Sequence, residues 1–170
     1  MNWREIETRF RQDIWAAVYR VLGNEQDALD CMQDVLVEAF QKSQQVQIRN
    51  WPGYLRWLAT RRAIDQIRSR KHILTEPLTD VHDLHASETQ DPLQLQESVE
   101  AVRRELTLLP HSQATCFWLF SVECLTYQEI ADLTGQTANA VGLTIQRARR
   151  TLQARLAGRL QQTSDNQHHP

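Results

Sequence analysis

The chain has 170 residues, enough for one domain or two small ones, and its 19 Lys and Arg against 21 Asp and Glu leave a formal net charge of −2. That near-neutral balance argues against a protein that grips DNA tightly by itself, since phosphate neutralisation supplies most nonspecific affinity. Five Gly and five Pro are few, apolar residues recur at helical spacing, and the expected fold class is all-α.

The first helix is predicted from about Trp3 to Leu22, with Trp3, Ile6, Phe10, Ile14, Ala17 and Val21 as its buried stripe. Gly23 and Asn24 close it, and Asn24 can cap a second helix from Glu25 to about Phe40. That helix is expected to bury Leu29, Met32, Val35, Leu36 and Phe40. Its other side carries Asp27, Asp30, Asp34 and Glu38 with no Lys or Arg between them. Such a stripe is either a solvated face or a surface that repels DNA and suits a basic protein partner.

Between Lys42 and Lys71 the charge reverses: eight basic residues stand against Asp65 alone. Gln41 to Asn50 reads as a polar connection, and a third helix follows with Pro52 tolerated in its first turn. One face takes Trp51, Leu55, Leu58 and Ala59, and the opposite face lines up Trp57, Arg61, Ile64, Arg68 and Lys71. Cations interleaved with rings suit single-stranded or opened nucleic acid, where bases stack and phosphates pair. Trp51, Tyr54 and Trp57 are equally well placed to be core residues.

Residues 76–100 hold seven acidic residues and no basic one, flanked by blocks with 12 against 9 and 7 against 5 basic to acidic residues. His72 to Leu95 lacks a helical period and reads as an acidic linker. Within it, His82 and His85 have no third ligand nearby, so no metal is expected. A fourth helix is predicted from about Gln94 to Leu108, carrying Leu95, Val99, Val102 and Leu106, with Leu109 at its end. After Pro110 a fifth, from about Ser112 to Val122, packs Cys116, Phe117, Leu119 and Phe120.

The stretch from Leu125 to Leu156 has the clearest local signals. Thr126 and Glu129 form a capping box, Gly135 ends a helix of barely two turns, and Thr137 can cap a longer one. Val141, Ile145, Ala148, Leu152 and Leu156 give that last helix an apolar stripe. At about 100° per residue the opposite face carries Asn139, Leu143, Gln146 and Arg150. A short helix, a Gly-centred turn and a longer helix, with small Ala131 allowing close approach, read as a helix-turn-helix. Its outward amides and guanidinium groups suit base edges and phosphates, and an outward Leu can touch a thymine methyl. A plain amphipathic hairpin is the alternative. Gln161 to Pro170 is polar and expected to fray.

Cys31, Cys116 and Cys124 are odd in number and lie in apolar patterns, pointing to a reduced cytoplasmic protein with buried thiols. No apolar run approaches the roughly 20 residues of a membrane span, so no membrane insertion is expected. No catalytic grouping and no Gly-rich phosphate loop emerge, so neither enzymatic activity nor a cofactor is expected.

In order and spacing these stretches resemble the bacterial RNA polymerase sigma factors of the extracytoplasmic-function (ECF) group, over nearly the whole chain. Leu22-Gly23-Asn24 through Asp27-Ala28-Leu29-Asp30, and Gln33-Asp34-Val35 to Ala39-Phe40, are similar to the family's second region, which docks on the clamp helices of core polymerase. The resemblance assigns Asp27, Asp30, Gln33, Asp34 and Glu38 to that contact. Trp51 to Arg70 is similar to the helix that opens and reads the minus-ten element. It implies DNA contacts by Lys42, Arg49, Trp51, Tyr54, Trp57, Arg61, Arg62, Arg68, Arg70 and Lys71. Leu108-Leu109-Pro110 and Thr126 to Arg149 resemble the fourth region, which reads the minus-thirty-five element. There Thr126, Thr137, Asn139, Gly142, Leu143, Gln146, Arg147, Arg149 and Arg150 are implied.

The implied organisation is a domain over 1–73, an acidic linker over 74–94, a helix-turn-helix domain over 95–160 and a disordered tail over 161–170. The implied partners are core RNA polymerase (clamp helices and flap) and promoter DNA, with an anti-sigma factor as a further candidate. The linker acids would mimic nucleic acid in a polymerase channel. Two positions depart from the family pattern. Gly142 and Thr144 stand where basic residues are usual, and Arg61 stands where Asn is usual. Gly142 also costs roughly 1 kcal/mol against Ala inside a helix, with no visible return. The competing readings are a stand-alone helix-turn-helix regulator binding its operator as a dimer, and a helical adaptor that has lost DNA contacts.

Overall fold

A computed structural model describes residues 2–73 and 100–165. The acidic linker expected over 74–94, its His82 and His85, the start of the expected fourth helix with Leu95 and Val99, and residues 166–170 lie outside them. Every regular element described is a helix, and no strand occurs among the described residues.

Side-chain caps set most helix starts. In α1 (Trp3–Leu22), Asn2 accepts from the Glu5 amide while the Glu5 carboxylate accepts from the Asn2 amide, at 3.0 and 3.1 Å. Gly23 ends α1 at φ +70°, and Asn24 accepts from the Asp27 amide at 3.0 Å to start α2 (Glu25–Ser43). Asn50 does the same for α3 (Trp51–Ile73), accepting from the Gly53 amide at 3.0 Å. A fourth helix, α4, covers residues 100–106 of the described chain. After it come α5 (His111–Ser121), α6 (Tyr127–Thr134) and α7 (Ala138–Asp165). Thus α7 runs on past Gln161, where a frayed tail was expected.

Helices α1, α2 and α3 pack on one another around Ile14, Val18, Val21, Val35, Leu58 and Ile64, all essentially inaccessible to water. Each such side chain contributes about 1.5–3 kcal/mol by leaving water. This cluster continues into the C-terminal helices through Leu106, Leu109, Ala114, Trp118, Ala148 and Leu152. A second cluster joins Cys116 and Leu119 of α5 to Leu125, to Ile130 and Ala131 of α6, and to Val141 and Ile145 of α7. The two helical groups also meet through polar contacts. Arg103 donates to the Arg20 carbonyl, Arg68 to the Leu109 carbonyl, and His111 Nε2 lies 2.8 Å from Asp65.

The second helix is turned differently from the expectation. Leu29 and Phe40 are 37% and 42% exposed, whereas Met32, Val35 and Leu36 are buried as expected. Small Ala28, Cys31 and Ala39 take the places against α1 and α3, because helices with small contact residues approach more closely. In α3, Ile64 is fully buried and cannot belong to an outward basic face. Trp3, Phe117 and Phe120 are only half-buried, packed at the edges of the clusters. Cys124 is exposed beyond the end of α5 with φ +57°, so only Cys31 and Cys116 are buried thiols.

Candidate nucleic-acid interface

The helix-turn-helix forms as its local signals dictate. The Thr126 hydroxyl accepts from the Glu129 amide at 3.2 Å, and the Glu129 carboxylate accepts from the Thr126 amide and hydroxyl, each at 2.8 Å. These bonds hold the Glu129 carboxyl below its ordinary value of 4.5. Gly135 adopts φ +70° and returns its amide to the Ala131 carbonyl, ending α6. The Thr137 hydroxyl then accepts from the Ala140 amide at 3.2 Å, opening α7. Thr126 and Thr137 therefore spend their hydroxyls on caps.

Along α7, Val141, Ile145, Ala148 and Leu152 are buried, while Asn139, Leu143, Gln146, Arg149 and Arg150 stand exposed on the opposite side with Arg147 beside them. The first turns of this face border a cleft of about 320 Å³ against Tyr127. Gly142 is among the residues that line it. A Cβ built there would come within 3.3 Å of the Tyr127 ring, whose other neighbour is Phe120 at 4.9 Å between centroids. The return for a helical glycine is thus the close seat of Tyr127 on the backbone of α7.

The aromatic residues of α3 form a ladder with α1 and α2. Phe40 meets Trp3, Trp3 meets Trp51, Trp51 meets Tyr54 and Tyr54 meets Trp57, with centroids 5.2 to 6.3 Å apart. All but Phe40 are half-buried, which leaves ring edges and faces reachable. Arg61 sits over Trp57 at 5.0 Å, a cation–π contact. Burial and nearby Glu38 raise the Tyr54 phenol.

The acidic and basic stripes partly satisfy each other. Glu38 pairs with both Arg61 and Arg62, and Asp27 pairs with Arg70. The bond to Asp27 pushes the Arg70 guanidinium higher still. Asp27 and Glu38 therefore turn toward α3, while Asp30, Gln33 and Asp34 remain exposed on the outer side of α2. Beside these three stand exposed Leu29, Val37 and Phe40, an apolar surface that a search for charge alone overlooks. Lys42 and Arg49 are exposed around the α2–α3 connection, Arg68 is held by the Leu109 carbonyl, and Lys71 lies in the last turn of α3. Tyr127 is the other residue that sequence reasoning missed. Its signal was the combination of an aromatic at the start of α6 with a glycine in α7.

Two family models match the chain in succession. Sigma-70 region 2 covers residues 8–73, and Sigma-70, region 4 covers residues 99–152. Together they span most of the chain, which belongs to the sigma-70 family of sigma factors. This sigma factor is 26% identical to the ECF RNA polymerase sigma factor SigE of Mycolicibacterium smegmatis over 168 residues, 97% of the chain. It spans 65% of the length of that relative. It is 27% identical over 158 residues to the RNA polymerase sigma factor SigV of Bacillus subtilis, covering 88% of this chain and 87% of that one. Its fold is similar to that of the sigma factor RpoE from Bartonella quintana, solved in complex with the anti-sigma factor NepR. The TM-score there is 0.57 at 19% identity, over 91% of this sigma factor and 96% of RpoE. Among its described residues no helix is long and apolar enough to cross a membrane, and no three metal-ligating side chains cluster.

Proposed function

We propose that the chain is a cytoplasmic transcription initiation factor that joins core RNA polymerase, directs it to particular promoters and helps to melt them, with no chemistry of its own. The observation that carries this reading is the outward face of α7. Asn139, Leu143, Gln146, Arg149 and Arg150 share one side of a capped, tightly turned helix-turn-helix, where they can reach base edges and phosphates. The domain over 95–160 would read the minus-thirty-five element, and that over 1–73 the minus-ten element. Trp51, Tyr54 and Trp57 would stack on unpaired bases while Lys42, Arg49 and Arg62 track phosphates.

The polymerase contact belongs to the outer side of α2. Leu29, Val37 and Phe40 supply an apolar centre, and Asp30, Gln33 and Asp34 a polar, acidic rim. That layout suits a basic helical partner better than a purely acidic stripe, because desolvated apolar anchors carry affinity and charges steer encounter. An anti-sigma factor, as bound to the similar RpoE, would compete for such exposed surfaces.

Run-off transcription with purified core polymerase on genomic fragments tests the reading. Promoter-specific transcripts that require the chain, together with weak binding of the isolated chain to duplex DNA, are expected. Tight operator binding by the isolated chain as a dimer, without effect on core polymerase, would replace it with a stand-alone regulator. Full activity of the Arg149→Ala, Arg150→Ala double variant would remove DNA from the account of α7.

A further inference from the structure

The recognition helix carries a feature beyond an exposed polar face. At Gly142 the missing side chain leaves α7 open to the Tyr127 ring, whose Cε2 and Cδ2 would lie 3.3 and 3.5 Å from a Cβ at that position. Phe120 packs against the same ring, with centroids 4.9 Å apart. Leu143, 46% exposed, stands beside the opening, and Asn139, Gln146 and Arg149 surround it along the same cleft. The result is a small recess with apolar walls from Tyr127, Ala138 and Ile145 and a polar rim, on the flank of α7 between its buried stripe and its outward face.

We infer that this recess receives the C5-methyl group of a thymine in duplex promoter DNA, and that Gly142 is thereby a specificity-determining residue. This rests on the reading of α7 as the helix that reads the upstream element. The major groove offers one apolar group, the thymine methyl, flanked by hydrogen-bonding atoms on its own and neighbouring bases. A recess with apolar walls, rimmed by amides and a guanidinium, is the complement of that pattern. Asn139 and Gln146 can bond the flanking base edges, and Arg149 can take the paired acceptors of a nearby guanine. A side chain at position 142 would push the Tyr127 ring toward the cleft that the methyl needs. Gly142 thus acts twice: it seats the Tyr127 ring against the backbone of α7, and the seated ring bounds the cleft that the methyl enters.

The test uses holoenzyme reconstituted from the full chain and core polymerase. Templates randomised across the upstream element are selected by run-off initiation, and each thymine enriched by selection is then replaced by deoxyuridine, which removes only the methyl. For the wild-type chain, one such replacement should lower initiation roughly fourfold, the value of one buried methyl group. For Gly142→Ala, thymine and deoxyuridine at that position should become equivalent. Absence of any thymine preference, indifference of the wild type to every deoxyuridine, or retained discrimination in Gly142→Ala would overturn the inference. The deoxyuridine arm changes only the DNA, so it stands whether or not a variant folds. Selective initiation without a methyl effect would sink the recess alone, whereas no chain-dependent initiation would sink the reading it rests on.

Discussion

Arg20, in the last turn of α1, forks onto both carboxylate oxygens of Glu123, 103 residues later, at 2.7 to 3.0 Å. The Glu123 side chain is almost wholly buried and the guanidinium is partly in water. Removing Arg20 would strand a buried carboxylate, so Arg20→Ala should cost about 1–2 kcal/mol, reduced from the fully buried case by solvent at the arginine. Urea unfolding of Arg20→Ala, Glu123→Ala and the double variant should give losses that do not add, with about 1 kcal/mol of coupling. Strictly additive losses would mean that the contact contributes nothing between the two helical groups.

Ile64 and Leu29 exchange the roles that sequence periodicity assigned them. Ile64→Ala should lower stability by about 2–4 kcal/mol, as truncation of a packed side chain does. Leu29→Ala should change stability by less than about 1 kcal/mol and instead weaken association with core polymerase, measured by competition for core enzyme. A stable Ile64→Ala chain with impaired DNA contacts would restore the outward basic face.

Glu129 gives the helix-turn-helix a pH dependence of known sign. Its carboxyl is held low in the folded chain by the Thr126 amide and hydroxyl, so the unfolded chain takes up the proton more readily. The stabilisation is fully present above the ordinary value of 4.5 and is lost as pH falls through the lower folded value. Glu129→Gln should flatten the acid limb of stability against pH and leave the neutral plateau down by about 0.5–1 kcal/mol. An unchanged acid limb would show that the box is not formed in solution.

The three thiols should separate by reactivity. Burial, and then Asp34, push the Cys31 thiol up to about 12, and burial raises Cys116. Cys124 is exposed. At pH 8 an alkylating reagent should modify Cys124 rapidly and the other two only on unfolding, because the thiolate is the reacting species. Mass spectrometry after a short pulse checks this; rapid labelling of Cys31 would contradict its burial.

What the sequence disclosed was what acts over three or four residues. The caps at Asn24, Thr126 and Thr137, the left-handed Gly135 and the stripe from Val141 to Leu152 are local in cause, and each lies where its signal put it. The phase of α2 was not legible, since it lies between two helices and small Ala28, Cys31 and Ala39 compete with larger apolar neighbours for the inside. Nor could spacing show that Asp27 and Glu38 answer arginines of α3, or that Glu123 answers Arg20, because those pairs arise only when distant helices meet. Gly142 looked like a cost in α7 until Tyr127 was seen against it.

Trp57 packs against both apolar clusters, the one built on α1 to α3 and the one inside the helix-turn-helix. Of the five tryptophans in the chain, it is the one whose surroundings are shared in this way. Any event that pulled α6 and α7 away from α3 would transfer its indole from hydrocarbon toward water and redden its fluorescence, so the molecule carries an intrinsic optical gauge of its own opening.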